Sequence, residues 1–183
     1  QAEGKEIIRR QPIVDIVVGP QTYHRLSEIL NRLSNKQRKI VDTEFPVENK
    51  FDELKKIRIN KNAVAFLSIQ EGCDKFCSFC VVPYTRGAEY SRPVLDIISE
   101  AKNLIQQGAK EICLLGQNVN AYHGLYKNRS MSLSELIMEI ANLSGVKRIR
   151  YMTSHPADMS EDLIVAHGKV DILLPYLHLP VQS

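Results

Sequence analysis

"AVAFLSIQEGCDKFCSFCVVPYTRG", residues 63–87, decides how this chain is read. Its first seven residues form a short apolar run, too short for a helix, and read as a strand. Immediately beyond lie three of the chain's four cysteines, Cys73, Cys77 and Cys80, within eight residues. An odd local count cannot close on itself as disulfides, and clustered thiolates repel one another unless a cation sits among them. The stretch is therefore a strand followed by a binding loop.

Outward from it, the same rhythm continues. Further apolar runs are "EICLLG" (111–116), "RIRYMTS" (148–154) and "ILLPYLHLPV" (172–181). Between them, Val94, Ile97, Ile98, Ala101, Leu104 and Ile105 make a helical stripe, with Gly108 as its C-terminal cap. Leu133, Leu136, Ile137 and Ile140 make a second stripe, opened by a capping box from Ser132 to Glu135. A third, short helix is signalled by Asp158 to Glu161 ahead of Leu163 and Ile164. Strand and helix alternating at this spacing predict an α/β fold with parallel strands and right-handed crossovers, an open sheet or a partial (β/α) barrel of four strands.

Upstream, "AEGKEIIRR" (2–10) predicts a helix, "IVDIVVG" (13–19) a strand, and "PQTYHRLSEILNRL" (20–33) a helix with Pro20 in its first turn and Leu26, Ile29, Leu30 and Leu33 on one face. Residues 34–62 lose the periodicity and carry Pro46, so residues 1–34 read as the end of a small α/β domain, 35–62 as a linker and 63–183 as the strand–helix domain. The chain starts at Gln1 and stops just after an apolar run, which suggests a piece of a longer protein.

With 44% hydrophobic and 25% charged residues, the chain can bury an ordinary core. It has no run of eighteen apolar residues and no signal-peptide core, so its thiols are placed in a reducing cytoplasm, away from any membrane. The net charge of +3, from 24 basic and 21 acidic residues, permits a nucleic-acid partner without demanding one.

Three readings of the cysteines compete. A structural zinc site needs four ligands, usually as two pairs, yet Cys113 lies mid-strand and His123 and His155 stand alone. A disulfide fails on compartment and count. An iron–sulfur cluster with three cysteine ligands leaves one iron open for a substrate, and the spacing, strand position and missing fourth ligand favour it over zinc. The loops after the other strands, "GQNVNAY", "TSHP" and "PVQS", would converge on the same mouth.

C-x3-C-x2-C with Phe79 before the last cysteine resembles the radical S-adenosylmethionine (SAM) superfamily. "GCDKFCSFCVVPYTRGAEYSRP", "LLGQNVNAY" and "HLPVQS" are similar to its methylthiotransferase family, most of all to the tRNA branch, and "QAEGKEIIRRQPIVDIVVGPQ" to the end of that family's N-terminal domain. The resemblance implies a [4Fe-4S] cluster on Cys73, Cys77 and Cys80 with SAM chelated by the open iron. It implies SAM contacts from Phe79, Gly116, Gln117, Asn118 and Gln182, the last beside Ser183, and site support from Arg86, Ser154 and His155. Arg92, like Arg86, is a loop arginine that could meet a carboxylate or phosphate.

The implied reaction adds a methylthio group to C2 of N6-dimethylallyladenosine next to the tRNA anticodon. Sister enzymes act on threonylcarbamoyladenosine or a ribosomal-protein aspartate; a noncatalytic zinc module is the more distant alternative. The resemblance also implies an electron donor such as flavodoxin or ferredoxin and a monomeric enzyme. A second, auxiliary [4Fe-4S] cluster is expected in the full-length family protein, but residues 1–72 contain no cysteine to hold it, so this chain alone is expected to be inactive.

Overall fold

The computed structural model describes residues 2–35, 39–45 and 62–182; residues 36–38 and 46–61 of the expected linker, and Ser183, lie outside the described residues. The chain forms two compact units, Gln1–Lys56 with Phe79–Gly87, and Ile57–Ser78 with Ala88–Ser183.

The first unit contains α1 (Gly4–Arg10), β1 (Ile16–Val18), α2 (Leu26–Ser34), β2 (Ile40–Asp42) and α3 (Val82–Arg86). Strands β1 and β2 pair in parallel, Ile16 beside Ile40. Strand β2 is thus a strand within the stretch read as aperiodic. Helix α2 starts later than expected: Pro20 precedes a separate 3-10 turn, Tyr23–Arg25, so it does not open the helix. Of the predicted stripe on α2, Ile29 is buried while Leu26 and Leu30 are exposed. The buried Thr22 hydroxyl donates to the Asp42 carbonyl at 2.8 Å and closes the turn against β2.

The second unit is built on a three-stranded parallel sheet in the order β3 (Val64–Ser68), β6 (Glu111–Leu115), β9 (Arg148–Tyr151). Two short antiparallel pairs flank it, β4 (Gln70–Glu71) with β5 (Tyr90–Ser91), and the hairpin β7 (His123–Tyr126) with β8 (Arg129–Ser132). The sheet's alternation sends Ala65, Leu67, Ile112, Leu114, Ile149 and Tyr151 to one face, and these are buried. They share one core with Val94, Ile97, Ala101 and Leu104 of α4 (Val94–Gln106), Leu136, Ile137 and Ile140 of α5 (Leu133–Ala141), and Leu163 and Ala166 of α6 (Glu161–Lys169). Burial of each large aliphatic side chain contributes roughly 1.5–3 kcal/mol before chain entropy is counted.

The helix boundaries follow from their caps. Gly108 takes φ 105°, which a residue with a Cβ rarely adopts, and its N–H reaches the Ile105 carbonyl while the Ala109 N–H reaches Leu104, the paired bonds of a Schellman ending. The capping box forms as the sequence predicts: Ser132 Oγ accepts from the Glu135 N–H, and Glu135 accepts from the Ser132 N–H at 2.9 Å. Helix α6 is different. Its N-cap is Ser160, because Asp158 sits in a 3-10 turn (Pro156–Asp158) and turns its carboxylate elsewhere.

The fourth predicted strand also differs. Residues 172–181 make one parallel bridge, Leu173 beside Ile149, and no named strand. Pro175 and Pro180 interrupt the run, and a proline offers no N–H to a ladder. The described fold is α/β with a parallel three-stranded sheet, and no closed barrel is present among the described residues.

Candidate functional site

Because β3, β6 and β9 are parallel, their C-terminal ends lie on one edge of the sheet and bring three loops together. The chain leaves β3 and at once commits a polar side chain to the interior: Gln70 is 1% exposed. Its Oε1 accepts from the backbone N–H groups of Gln117 (2.9 Å) and Asn118 (3.1 Å), and its Nε2 donates to the Gly72 carbonyl at 2.8 Å. Gln117 answers, its Oε1 accepting from the Gly72 N–H at 2.7 Å. The residue preceding Cys73 is thereby bonded through its N–H to the second strand's loop and through its carbonyl to Gln70. Gly116 is required at this crossing, since a Cβ there would lie 2.4 Å from Gln70 Oε1 and 2.9 Å from the Gln70 carbonyl.

The third strand's loop is held in turn. Thr153 has φ 68°, an outlier for a β-branched residue, and is fixed by hydrogen bonds from its hydroxyl to the Gly116 carbonyl (2.9 Å) and from the Val119 N–H to its own carbonyl (2.8 Å). Asp158 Oδ2 accepts from the Asn118 amide at 2.7 Å, and its Oδ1 pairs with Lys75 Nζ at 2.6 Å. Burial pushes the Asp158 carboxyl up, but the Asn118 amide and the Lys75 ammonium outweigh it and hold it below the usual carboxylate range. The same ion pair raises Lys75. Lys75 lies between Cys73 and Cys77, so the pair ties the cysteine loop to the loop after β9.

Cys73, Cys77 and Cys80 are partly exposed thiols on irregular chain, none of them in a disulfide. Cys77 Sγ lies 3.6 Å from His155 Nε2. Cys73 and Cys77 belong to the second unit, and Cys80, with Phe79, to the first. Among the described residues no three His, Cys, Asp or Glu side chains surround a common metal-sized centre. The donor set nevertheless has the chemistry of a cluster loop: three accessible thiols, none committed to a disulfide. Cys113 contrasts with them, buried in β6 with burial pushing its thiol up, which keeps it protonated and a poor ligand.

The remaining expected residues divide. Phe79 is exposed, and Arg86, in α3, accepts through its carbonyl from the Gln21 amide. Gly116 and Gln117 are engaged with Gln70 and Gly72 as described. Asn118 and Ser154 are buried, and among the described residues Asn118 Oδ1 and Ser154 Oγ have no hydrogen-bond partner. A buried polar atom left unpaired normally marks a missing water or ligand, and both stand at strand ends in the second unit. Gln182 has φ 61°. Arg92 is no loop arginine facing solvent: it is 5% exposed, pairs with Glu100 at 2.8 Å and donates to the Ser68 carbonyl.

Sequence reasoning gives no site role to Gln70, Lys75 or Asn120, and reads Asp158 only as a helix start signal. The only signal for Gln70 was a long polar side chain directly after an apolar strand, in "LSIQEGC". A cavity of about 290 Å³ lies at the other end of the strands, lined by Ala63, Val64, Lys110, Glu111, Lys147 and Arg148, and contains none of these groups.

Comparison with known proteins agrees with the loop chemistry. The chain is 58% identical over 184 residues to tRNA-2-methylthio-N(6)-dimethylallyladenosine synthase of Ruegeria sp. (strain TM1040), covering all of this chain and 42% of that protein. It is 57% identical over 188 residues to the protein of the same name from Bartonella quintana, covering 41% of it. The chain thus spans about two fifths of the length of the curated relatives it matches. A solved structure of the radical S-adenosylmethionine methyltransferase TsrM from Kitasatospora setae, with tryptophan substrate and a SAM analogue bound, superposes on 89% of this chain and 36% of that one with TM-score 0.55 at 15% identity, a likeness of fold. Residues 67–183 match the family model described as the Radical SAM superfamily, and the chain belongs to that superfamily, whose members work with SAM and a [4Fe-4S] cluster.

Proposed function

We propose that this chain is the radical-generating part of a tRNA methylthiotransferase that modifies C2 of N6-dimethylallyladenosine beside the anticodon. The observation that carries the reading is C-x3-C-x2-C at the C-terminal end of the first parallel strand of a radical SAM domain, in a chain matched along its whole length by relatives named for that reaction.

Residues 63–183 would be the first part of a (β/α) barrel, 1–34 the end of a small α/β domain, and 35–62 their linker. Cys73, Cys77 and Cys80 would hold the cluster. Held by those thiolates, the cluster would supply one-electron radical chemistry on SAM. The chain's own residues bind and orient. Gln70 and Gln117 fix the entry to the cysteine loop, and Lys75 and Asp158 fix its middle. Asn118 Oδ1 and Ser154 Oγ offer acceptor and donor positions at the strand ends; Phe79 and Gln182 would contact SAM, and Arg86 would support the substrate, as the family resemblance implies. The partners are tRNA and a low-potential one-electron donor such as flavodoxin or ferredoxin, in the cytoplasm, and the enzyme acts as a monomer. Among the described residues no helix is long and apolar enough to cross a membrane.

The test is nucleoside mass spectrometry of tRNA from cells whose gene for this protein carries Cys77→Ala. Loss of 2-methylthio-N6-dimethylallyladenosine with accumulation of N6-dimethylallyladenosine is expected. Unchanged methylthiolation there, with loss of a methylthio group from threonylcarbamoyladenosine or from a ribosomal-protein aspartate instead, would reassign the substrate.

A further inference from the structure

His155 sits in a frame that fixes both its backbone and its ring. Asn120, 7% exposed on the 3-10 turn Val119–Ala121, accepts from the His155 N–H at 2.8 Å and donates its amide to the His155 carbonyl at 2.8 Å. The ring's Nδ1 accepts from the Ala157 N–H at 3.1 Å, so Nδ1 carries a lone pair and the proton is on Nε2. That Nε2–H faces Cys77 Sγ at 3.6 Å, an ordinary N–H···S separation. Three residues on, Asp158 of the same turn grips Lys75, two residues before Cys77. The turn is thus pinned to the cysteine loop at two points.

We infer that His155 donates a hydrogen bond to the Cys77 thiolate and thereby sets the reduction potential of the cluster, a tuning role that presupposes Cys77 as a cluster ligand, the reading given above. The redox change is [4Fe-4S]²⁺ plus one electron giving [4Fe-4S]⁺; the electron comes from a low-potential donor and the imidazole keeps its proton throughout. Reduction adds negative charge to the thiolate-bound cluster, so a donor aimed at sulfur stabilises the reduced form more than the oxidised form. Removing the donor lowers the potential.

The competing account makes His155 only the N-cap of the Pro156–Asp158 turn, and two substitutions separate them. His155→Asn keeps a side-chain oxygen that can accept from Ala157 N–H, and keeps the Asn120 clamp, which uses only backbone atoms of residue 155. It is too short to present an N–H to Cys77. His155→Gln extends an amide N–H to about the reach of Nε2. The chain and both variants are reconstituted without air, iron and sulfide are counted, and the reduced cluster is titrated by electron paramagnetic resonance with dithionite and mediators. At a fixed poise, His155→Asn is expected to lower the ratio of reduced to oxidised cluster about three- to tenfold at full iron loading, tenfold being about 59 mV for one electron, and His155→Gln to recover most of it. Wild-type midpoints in a fully loaded His155→Asn chain would overturn the role. So would failure of both variants to load while the wild type loads, which would make His155 a scaffold residue. A wild-type chain that loads no cluster sinks the ligand assignment itself, an outcome visible in the iron count before any potential is measured.

Discussion

Replacing Gln70 by Leu removes the group that joins the cysteine loop to the loop after β6, and its cost can be worked from the hydrogen bonds. Gln70 is 1% exposed and makes three of them: to the Gly72 carbonyl and from the N–H groups of Gln117 and Asn118. Leucine fills a similar volume, so the cavity term is small, but three backbone groups lose their partner, two of them in buried bonds and that of Gln117 in a part-buried one. At about 1 kcal/mol for each such bond the loss is about 3 kcal/mol, a large share of the stability of a domain this size. Urea unfolding followed by circular dichroism should show the midpoint falling at unchanged slope. Gln70→Glu should be nearly as damaging, because the carboxylate keeps the two accepted bonds and sets an oxygen against the Gly72 carbonyl. A Gln70→Leu protein within 0.5 kcal/mol of wild type would refute the view that this side chain organises the strand ends, at a threshold well under one such bond.

The neighbouring and more distant contacts give further expectations. Gly116→Ala forces a methyl into Gln70, with the Gln70 carbonyl 2.9 Å away and unable to rotate aside, and should cost about 1–3 kcal/mol by the same unfolding assay; a neutral substitution would show that the crossing has slack. Asp162 at the start of α6 accepts from Ser134 and, at 3.0 Å, from Ser132, and these hydroxyls, Ser134 foremost, with Ser160 hold its carboxyl down to about 2. A carboxylate depressed on folding stabilises the native state above its unfolded pKa of roughly 4 and loses that contribution as pH falls towards 2. Asp162→Asn should therefore be less stable than wild type near neutrality and flatten the loss of stability between those pH values; parallel stability–pH curves would contradict the assignment.

How much of this was legible in sequence depended on whether a signal was local. The three parallel strands, helices α4 and α5, the Ser132–Glu135 box and the Gly108 ending were all readable, because each rests on periodicity or cap chemistry within one turn. The run 172–181 has the hydrophobicity of a strand, but Pro175 and Pro180 remove the N–H groups a ladder needs. Strand β2 is three residues long, and the β7–β8 hairpin turns through Lys127 at φ 54° with no glycine to announce it. Asp158 looked like an N-cap from its spacing to Glu161; its true partners, Asn118 and Lys75, are 40 and 83 residues away. The polar frame of the site was invisible for the same reason. Gln70, Asn120 and Asp158 act across loops that only the parallel sheet brings together, and no spacing rule within one segment records that.

The central claim is that Cys73, Cys77 and Cys80 hold a cluster whose open iron takes SAM, while Cys113 takes no part. The most direct measurement is iron and sulfide content, with electron paramagnetic spectra before and after SAM, of the anaerobically reconstituted chain and its four single Cys→Ala variants. One four-iron cluster is expected in the wild type and in Cys113→Ala, with a spectrum that changes when SAM is added, and none in the other three variants. Iron lost equally from Cys113→Ala, or a folded, loaded chain whose spectrum ignores saturating SAM, would contradict it.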